Sequence, residues 1–231
     1  MKSLAALQHT SADYLGLMED HLEGRRIRFR YFRPFTEQGI LPRMNTVGDG
    51  LALLGGGPWG SAGIRNLPTL VEEIELTYEC LKLGLPIIGI GLGAQILSLA
   101  AGGGTTEAPL SFSVGYAERT SDEALNGYLP PRYPLVEYMR DRPDPPAAAK
   151  ILARNEAGQV ALFQVGDNAF GFTGHPGAKV GMAEDLIMEF EEAPPDPGPQ
   201  LAKFRTMKTE IEDALVPIMT GLVQMTGLMR T

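Results

Sequence analysis

The sequence predicts an α/β fold: a doubly wound, mostly parallel sheet with a short antiparallel extension and an added C-terminal helix. Three observations carry the prediction. Apolar runs at residues 4–7, 51–54 and 86–90 alternate with segments of helical periodicity, the pattern of a parallel sheet covered by helices. Two of those runs end in glycine-rich turns, Gly55-Gly56-Gly57-Pro58 and Gly89-Ile90-Gly91-Leu92-Gly93. From residue 114 onward, short strand-like runs follow one another through tight turns.

Each element has its own justification. Residues 4–7 form a first strand ending at Gln8-His9. Residues 11–22 are expected to be helical, with Leu15, Met18 and Leu22 on one face. Residues 27–32 mix β-branched and aromatic residues with arginines and read as a strand. The basic run Arg25, Arg26, Arg28, Arg30 and Arg33 reads as a solvated face, because alternate strand residues point to opposite sides. Residues 51–54 are a short buried strand. Residues 67–83 read as a helix: Pro68 stands near its start, Glu72, Glu73 and Glu75 fall early and Lys82 late, all favourable to the macrodipole. Residues 86–90 are a continuous apolar strand, and residues 95–101 a helix stopped by Gly102-Gly103-Gly104.

Residues 114–119, 151–154, 160–163 and 169–172 are expected to form the antiparallel extension, with turns at Glu156-Ala157-Gly158 and Val165-Gly166-Asp167-Asn168. Residues 141–149 are proline-rich and read as loop. Residues 193–199, Ala-Pro-Pro-Asp-Pro-Gly-Pro, read as a linker that cannot be helical. Beyond them Ile211, Leu215, Ile218, Met219, Leu222, Val223 and Met229 recur at helical spacing, with a kink expected at Pro217. That apolar stripe either docks on its own domain or meets a second copy or a partner. The expected division is 1–192, a linker at 193–199 and a helical extension at 200–231.

Composition narrows the function classes. A chain of 231 residues can bury a sizeable core in one domain. A net charge of −8 argues against nucleic acid, which is held through basic patches. The single cysteine, Cys80, precludes an intramolecular disulfide and fits a reducing compartment. The N-terminal apolar run is too short for a signal peptide, and no stretch approaches a membrane span, so a cytoplasmic location is expected. No His, Cys, Asp or Glu cluster has metal-ligand spacing, and neither a metal nor a cofactor is expected.

The run Pro86-Ile87-Ile88-Gly89-Ile90-Gly91-Leu92-Gly93-Ala94-Gln95 has the form of a nucleophile elbow, a sharp strand-to-helix turn that lifts one side chain above the sheet edge. Gly91 stands at the apex and has no side chain to lift. The run resembles the class I glutamine amidotransferase elbow, Gly-Ile-Cys-Leu-Gly-x-Gln. Two further blocks resemble the same family: residues 53–60, Leu-Leu-Gly-Gly-Gly-Pro-Trp-Gly, its oxyanion loop, and residues 171–177, Gly-Phe-Thr-Gly-His-Pro-Gly, its Gly-x-Gln-x-His-Pro-Glu segment. The resemblance covers residues 1–192 and implies a flavodoxin-like sheet.

The resemblance also implies roles, position by position. A thiolate would attack the glutamine amide, a histidine would carry the proton and a carboxylate would orient it. Gly91 occupies the cysteine position, His175 is retained, and Gly177 occupies the glutamate position. The backbone oxyanion donors would lie at Gly57 and Leu92, and Gln95 would help hold substrate. The family's Gln-Trp-His segment would fall near Tyr138-Met139-Arg140. Glycine at the apex relieves a backbone strain of about 1–3 kcal/mol that a residue with a Cβ would carry there.

Other candidate groups read as structural. Cys80 sits beside Glu79, which raises rather than lowers its pKa. Ser98 falls within a helix, Ser61 lies in the oxyanion loop, and His9 and His21 belong to no motif. His175 has three open roles: catalytic, ligand-binding or inherited. Gly89, Gly91 and Ala94 also fit a loose dinucleotide fingerprint with Glu107 as its acidic residue, but residues 99–106 are not strand-like. The leading expectation is an amidotransferase-like protein without glutaminase activity that binds a ligand or supports a partner synthetase or other enzyme subunit. The alternatives are an enzyme reusing the pocket with His175 and a new nucleophile or water, and a structural homo-oligomer joined through the C-terminal helix.

Overall fold

The fold is given by a computed structural model, which describes residues 1–36 and 39–229. In chain order the elements are β1 (Ser3–Leu7), α1 (Met18–Gly24), β2 (Arg28–Phe32), β3 (Gly50–Leu53), α2 (Leu70–Lys82), β4 (Ile87–Ile90), α3 (Leu92–Ala100), β5 (Gly104–Thr106), β6 (Ser111–Arg119), β7 (Arg132–Met139), β8 (Arg142–Asp144), β9 (Lys150–Asn155), β10 (Val160–Val165), β11 (Ala169–Phe172), α4 (Val180–Glu189), α5 (Pro197–Thr206) and α6 (Lys208–Met225). Nine strands form one sheet in the order β2-β1-β3-β4-β11-β10-β9-β6-β7, and β5 pairs with β8 separately. The pairings from β2 through β11 are parallel; those from β11 through β7 are antiparallel.

Strand periodicity sorts the core onto two faces. Leu4 and Ala6 of β1, Ala52 of β3 and Ile88 and Ile90 of β4 face Met18 and Leu22 of α1 and Leu215, Ile218, Met219 and Leu222 of α6. Ala5, Leu7, Leu51, Leu53 and Ile87 face Cys80 of α2 and Ile96 and Leu97 of α3. The sheet is therefore doubly wound, as expected. A third cluster packs Ala183 and Leu186 of α4 and Phe204 of α5 on Phe112, Val114, Val136 and Tyr138.

Several expectations need correction. The helix expected at 11–22 exists only as α1: Gly16 holds φ +61°, and a Cβ there would collide with the Gly177 carbonyl oxygen, so residues 11–17 pass over the sheet edge as a loop. Strand β7 went unread because Pro131, Pro134 and Glu137 break its apolar run. Strand β11 belongs to the parallel half as well as the antiparallel one, pairing in parallel with β4. The segment read as a non-helical linker contains the start of α5, because Pro197 occupies the first helical position, where a missing N–H costs nothing. Of the two readings of the terminal apolar stripe, docking on the chain's own domain holds for Ile211, Leu215, Ile218, Met219, Leu222 and Val223, which are buried, while Met229 stays exposed. Residues 230–231 of that extension lie outside the described residues.

Among the described residues no helix is long and apolar enough to cross a membrane.

Candidate functional site

The elbow is present in the backbone. β4 enters Gly91, which holds φ +56° and ψ −112° and opens α3 at Leu92. Its N–H donates to Phe172 O (2.8 Å), and its carbonyl accepts from the Ala94 N–H (3.1 Å), so the turn is pinned from both sides. A Cβ at Gly91 would sit 3.6 Å from the Gly55 Cα, with nothing nearer. The turn therefore has room for a side chain and carries none.

His175 lies beyond β11 and is partly buried. Its Nε2 meets the Tyr14 carbonyl (2.7 Å) and its Nδ1 meets the Gly177 N–H (3.1 Å). A carbonyl can only accept and an amide N–H can only donate, so Nε2 carries the hydrogen and Nδ1 offers its lone pair. Both nitrogens are thus committed to backbone. Desolvation by burial lowers the imidazole pKa to about 4, so the ring is neutral at neutral pH.

The position expected for the orienting carboxylate is closed. A Cβ at Gly177 would come 2.9 Å from the Met18 backbone nitrogen and 2.9 Å from its Cγ. The Gly177 carbonyl in turn accepts from the Leu17 N–H (2.9 Å). The loop preceding α1 fills the place a glutamate would need.

The remaining expected residues are equally engaged. Gln95 is fully buried; its Oε1 accepts from Ser61 Oγ (2.6 Å) and its Nε2 donates to Arg140 O (2.7 Å). Gly57 holds φ +56°, and the Phe190 ring and the Thr10 methyl lie 2.9 and 3.2 Å from where a Cβ would stand. Leu92 is buried at the start of α3, where the first N–H groups lack intrahelical partners. Ser61 is held through its N–H by Asp141 (2.9 Å), and Ser98 donates to the Gly104 and Asp144 carbonyls, so neither hydroxyl is poised to attack. Burial, then Glu79, raises the Cys80 thiol to about 11. Glu107 follows β5, which lies outside the nine-stranded sheet, so the dinucleotide reading loses its second strand.

A cavity of about 40 Å³ remains at the elbow, lined by Gly91, Gly55, His175, Tyr138, Thr173 and Asp13 among others. Small-molecule sites run to roughly 300–1,000 Å³. This one has room for about three waters, at roughly 10–15 Å³ each.

Sequence reasoning missed the charged groups behind the Gly55-Gly56-Gly57 loop. His9, which had no motif, is buried with Nδ1 on the Gly55 carbonyl (2.9 Å) and Nε2 on Glu73 Oε2 (2.9 Å). Thr69 donates to the other Glu73 oxygen (2.6 Å). Burial opposes the imidazolium, but the Glu73 carboxylate outweighs it and raises the His9 pKa above 6.5. Asp13 is buried against Gly55 and faces the cavity; desolvation raises its pKa to about 7, partly offset by His9 and the Gly55 N–H. Asp141, at φ +58°, accepts from the Ser61, Ala62 and Ala108 N–H groups, and Arg140 reaches Pro58 O (2.9 Å) and Glu192. No signal in the sequence joins residues so far apart, such as His9 and Glu73.

A doubly wound sheet carrying an elbow, a glycine-rich loop after β3 and a His-Pro segment at its carboxyl edge defines an amidotransferase-type domain. The chain belongs to the glutamine amidotransferase class-I family, whose model matches residues 29–191. It is 30% identical over 166 residues to a protein named GMP synthase [glutamine-hydrolyzing] from Aeropyrum pernix, covering 68% of this chain and 30% of that protein. The chain thus spans under a third of the length of that relative. Among solved structures, a glutamine amidotransferase from Thermotoga maritima aligns with a TM-score of 0.79 at 24% identity, covering 97% of this chain and 98% of that one. One from Methylobacillus flagellatus aligns with a TM-score of 0.81 at 21% identity, covering 97% and 95%. These structures share its fold.

Proposed function

We propose that this chain is a class-I amidotransferase domain without glutaminase activity, serving as a ligand-binding or partner-supporting subunit in the cytoplasm. The observation that supports this best is His175, whose two ring nitrogens are both held by backbone groups beside an apex with no side chain. Acyl transfer needs a nucleophile and a base with a free lone pair. The small cavity and the loop over Gly177 support the same reading.

The test is ammonia release from glutamine by the purified protein, with His175→Ala as control. No release by either is expected. Release that disappears in His175→Ala refutes the proposal. Gly91→Cys is expected to fold and to remain inactive, because the base is still occupied.

One observation favours the alternative of a reused pocket. Asp13 presents a buried carboxyl of pKa about 7 to the elbow cavity, the property of a base that could activate a water. Turnover of a small amide or ester that survives His175→Ala and vanishes in Asp13→Asn would establish it.

A further inference from the structure

The room for a ligand lies on the other side of the oxyanion loop. A cleft of about 520 Å³ opens over the carboxyl ends of β1, β2 and β3, within the size range of small-molecule sites. Gln8 and His9 line it after β1, Arg33 after β2 and Trp59 after β3; Glu189 and Phe190 close it from the end of α4. The chain leaves β1 to one side for β2 and returns on the other for β3, so the cleft stands at the sheet's topological switch point. Open α/β sheets hold ligands at such crevices.

Its floor is rigid. His9 joins the ends of β1 and β3 through Gly55 and is anchored behind by Glu73. Gln8 is buried, donates to Ser11 O (3.1 Å) and accepts from Arg33 Nε (2.7 Å). The exposed Arg33 guanidinium is therefore oriented from behind. Among the described residues its terminal nitrogens meet no carboxylate. Trp59 and Phe190 supply flat apolar walls.

We infer that this cleft binds an organic monocarboxylate with a flat apolar body. The carboxylate would pair with the terminal nitrogens of Arg33, whose planar fork suits it, and the body would lie against Trp59 and Phe190. Glu189, which accepts from the Ser11 N–H (3.3 Å), places a negative charge on the same rim and disfavours a phosphate dianion. The cleft shares no reacting group with the elbow, so the inference stands whether or not the elbow is inactive.

The chain has a single tryptophan, and it lines this cleft, so the intrinsic fluorescence of the whole protein reports occupancy. Titration with phenylacetate should give a saturable change, with affinity at least about tenfold above that of phenylacetamide and of phenyl phosphate. Arg33→Gln should abolish the preference for phenylacetate over phenylacetamide. A response that does not saturate, equal binding of phenylacetamide, tighter binding of phenyl phosphate, or wild-type affinity in Arg33→Gln would each overturn the inference. Ammonia release from glutamine would instead refute the loss of hydrolysis and leave this result untouched.

Discussion

Replacing Asp13 by asparagine should stabilise the protein at alkaline pH and not at acid pH. Asp13 is 5% exposed and has its carboxyl pKa raised from 3.8 to about 7, chiefly by desolvation. At about 1.36 kcal/mol per pKa unit, that rise corresponds to about 4 kcal/mol. The sign follows from proton uptake: between pH 4 and 7 the folded form holds a proton that the unfolded form has released, so stability falls as pH rises through that window. Above pH 7 both forms are ionised and the full cost of the buried charge is present. Asparagine keeps the shape and removes the ionisation. Urea unfolding of the wild type should therefore lose about 4 kcal/mol between pH 4 and pH 8 through this group, beyond any slope shared with Asp13→Asn. His9, whose folded pKa is also raised, contributes a slope of the same sign, and because Asp13 helps to raise it the difference between the two proteins reports Asp13 together with its coupling to His9. Parallel stability curves for the two proteins would refute the reasoning.

Three further outcomes are expected. Glu73→Ala should cost about 3–5 kcal/mol in urea unfolding, because it strands His9 inside the core without its 2.9 Å partner. Gly91→Ala should lower stability by about 1–3 kcal/mol through backbone strain alone, since its Cβ has space, whereas Gly177→Ala meets the Met18 backbone and should lose more; equal thermal shifts would contradict this. His175→Ala should cost about 1–3 kcal/mol at pH 8 by freeing the Tyr14 carbonyl and Gly177 N–H, and less at pH 6, where the unfolded wild type takes up a proton that the buried ring, its pKa lowered to about 4, does not; calorimetry at pH 6 and 8 checks it.

The parallel half of the sheet was legible because β1, β3 and β4 are continuous apolar runs closed by glycine turns, a pattern that buried parallel strands require. The three motif blocks fell where the resemblance put them, at the carboxyl edge. Elsewhere local signals misled. Leu15, Met18 and Leu22 have helical spacing, yet the first of them belongs to a loop held by Gly16 and the Gly177 carbonyl. Prolines hid β7, which sits at the sheet edge where a missing N–H is tolerated, and they hid α5, where proline opens a helix. The state of the site was the least legible. That Gly91 lacks a nucleophile is visible in the sequence; that His175, Gln95 and the Gly177 position are already occupied depends on contacts with Tyr14, Ser61 and Met18, which only the fold brings near.

The two ends of the sheet also set how these molecules meet one another in a crowded solution. β2 is an outermost strand, and it turns Arg28 and Arg30 outward while Phe29 and Tyr31 face the core. Two copies approaching edge to edge would bring cation against cation before any backbone ladder could form. At the opposite end β7 is buried along seven of its eight residues, and the Val136 carbonyl is already taken by the His175 N–H. One border of the nine-stranded sheet is guarded by repulsion and the other by coverage.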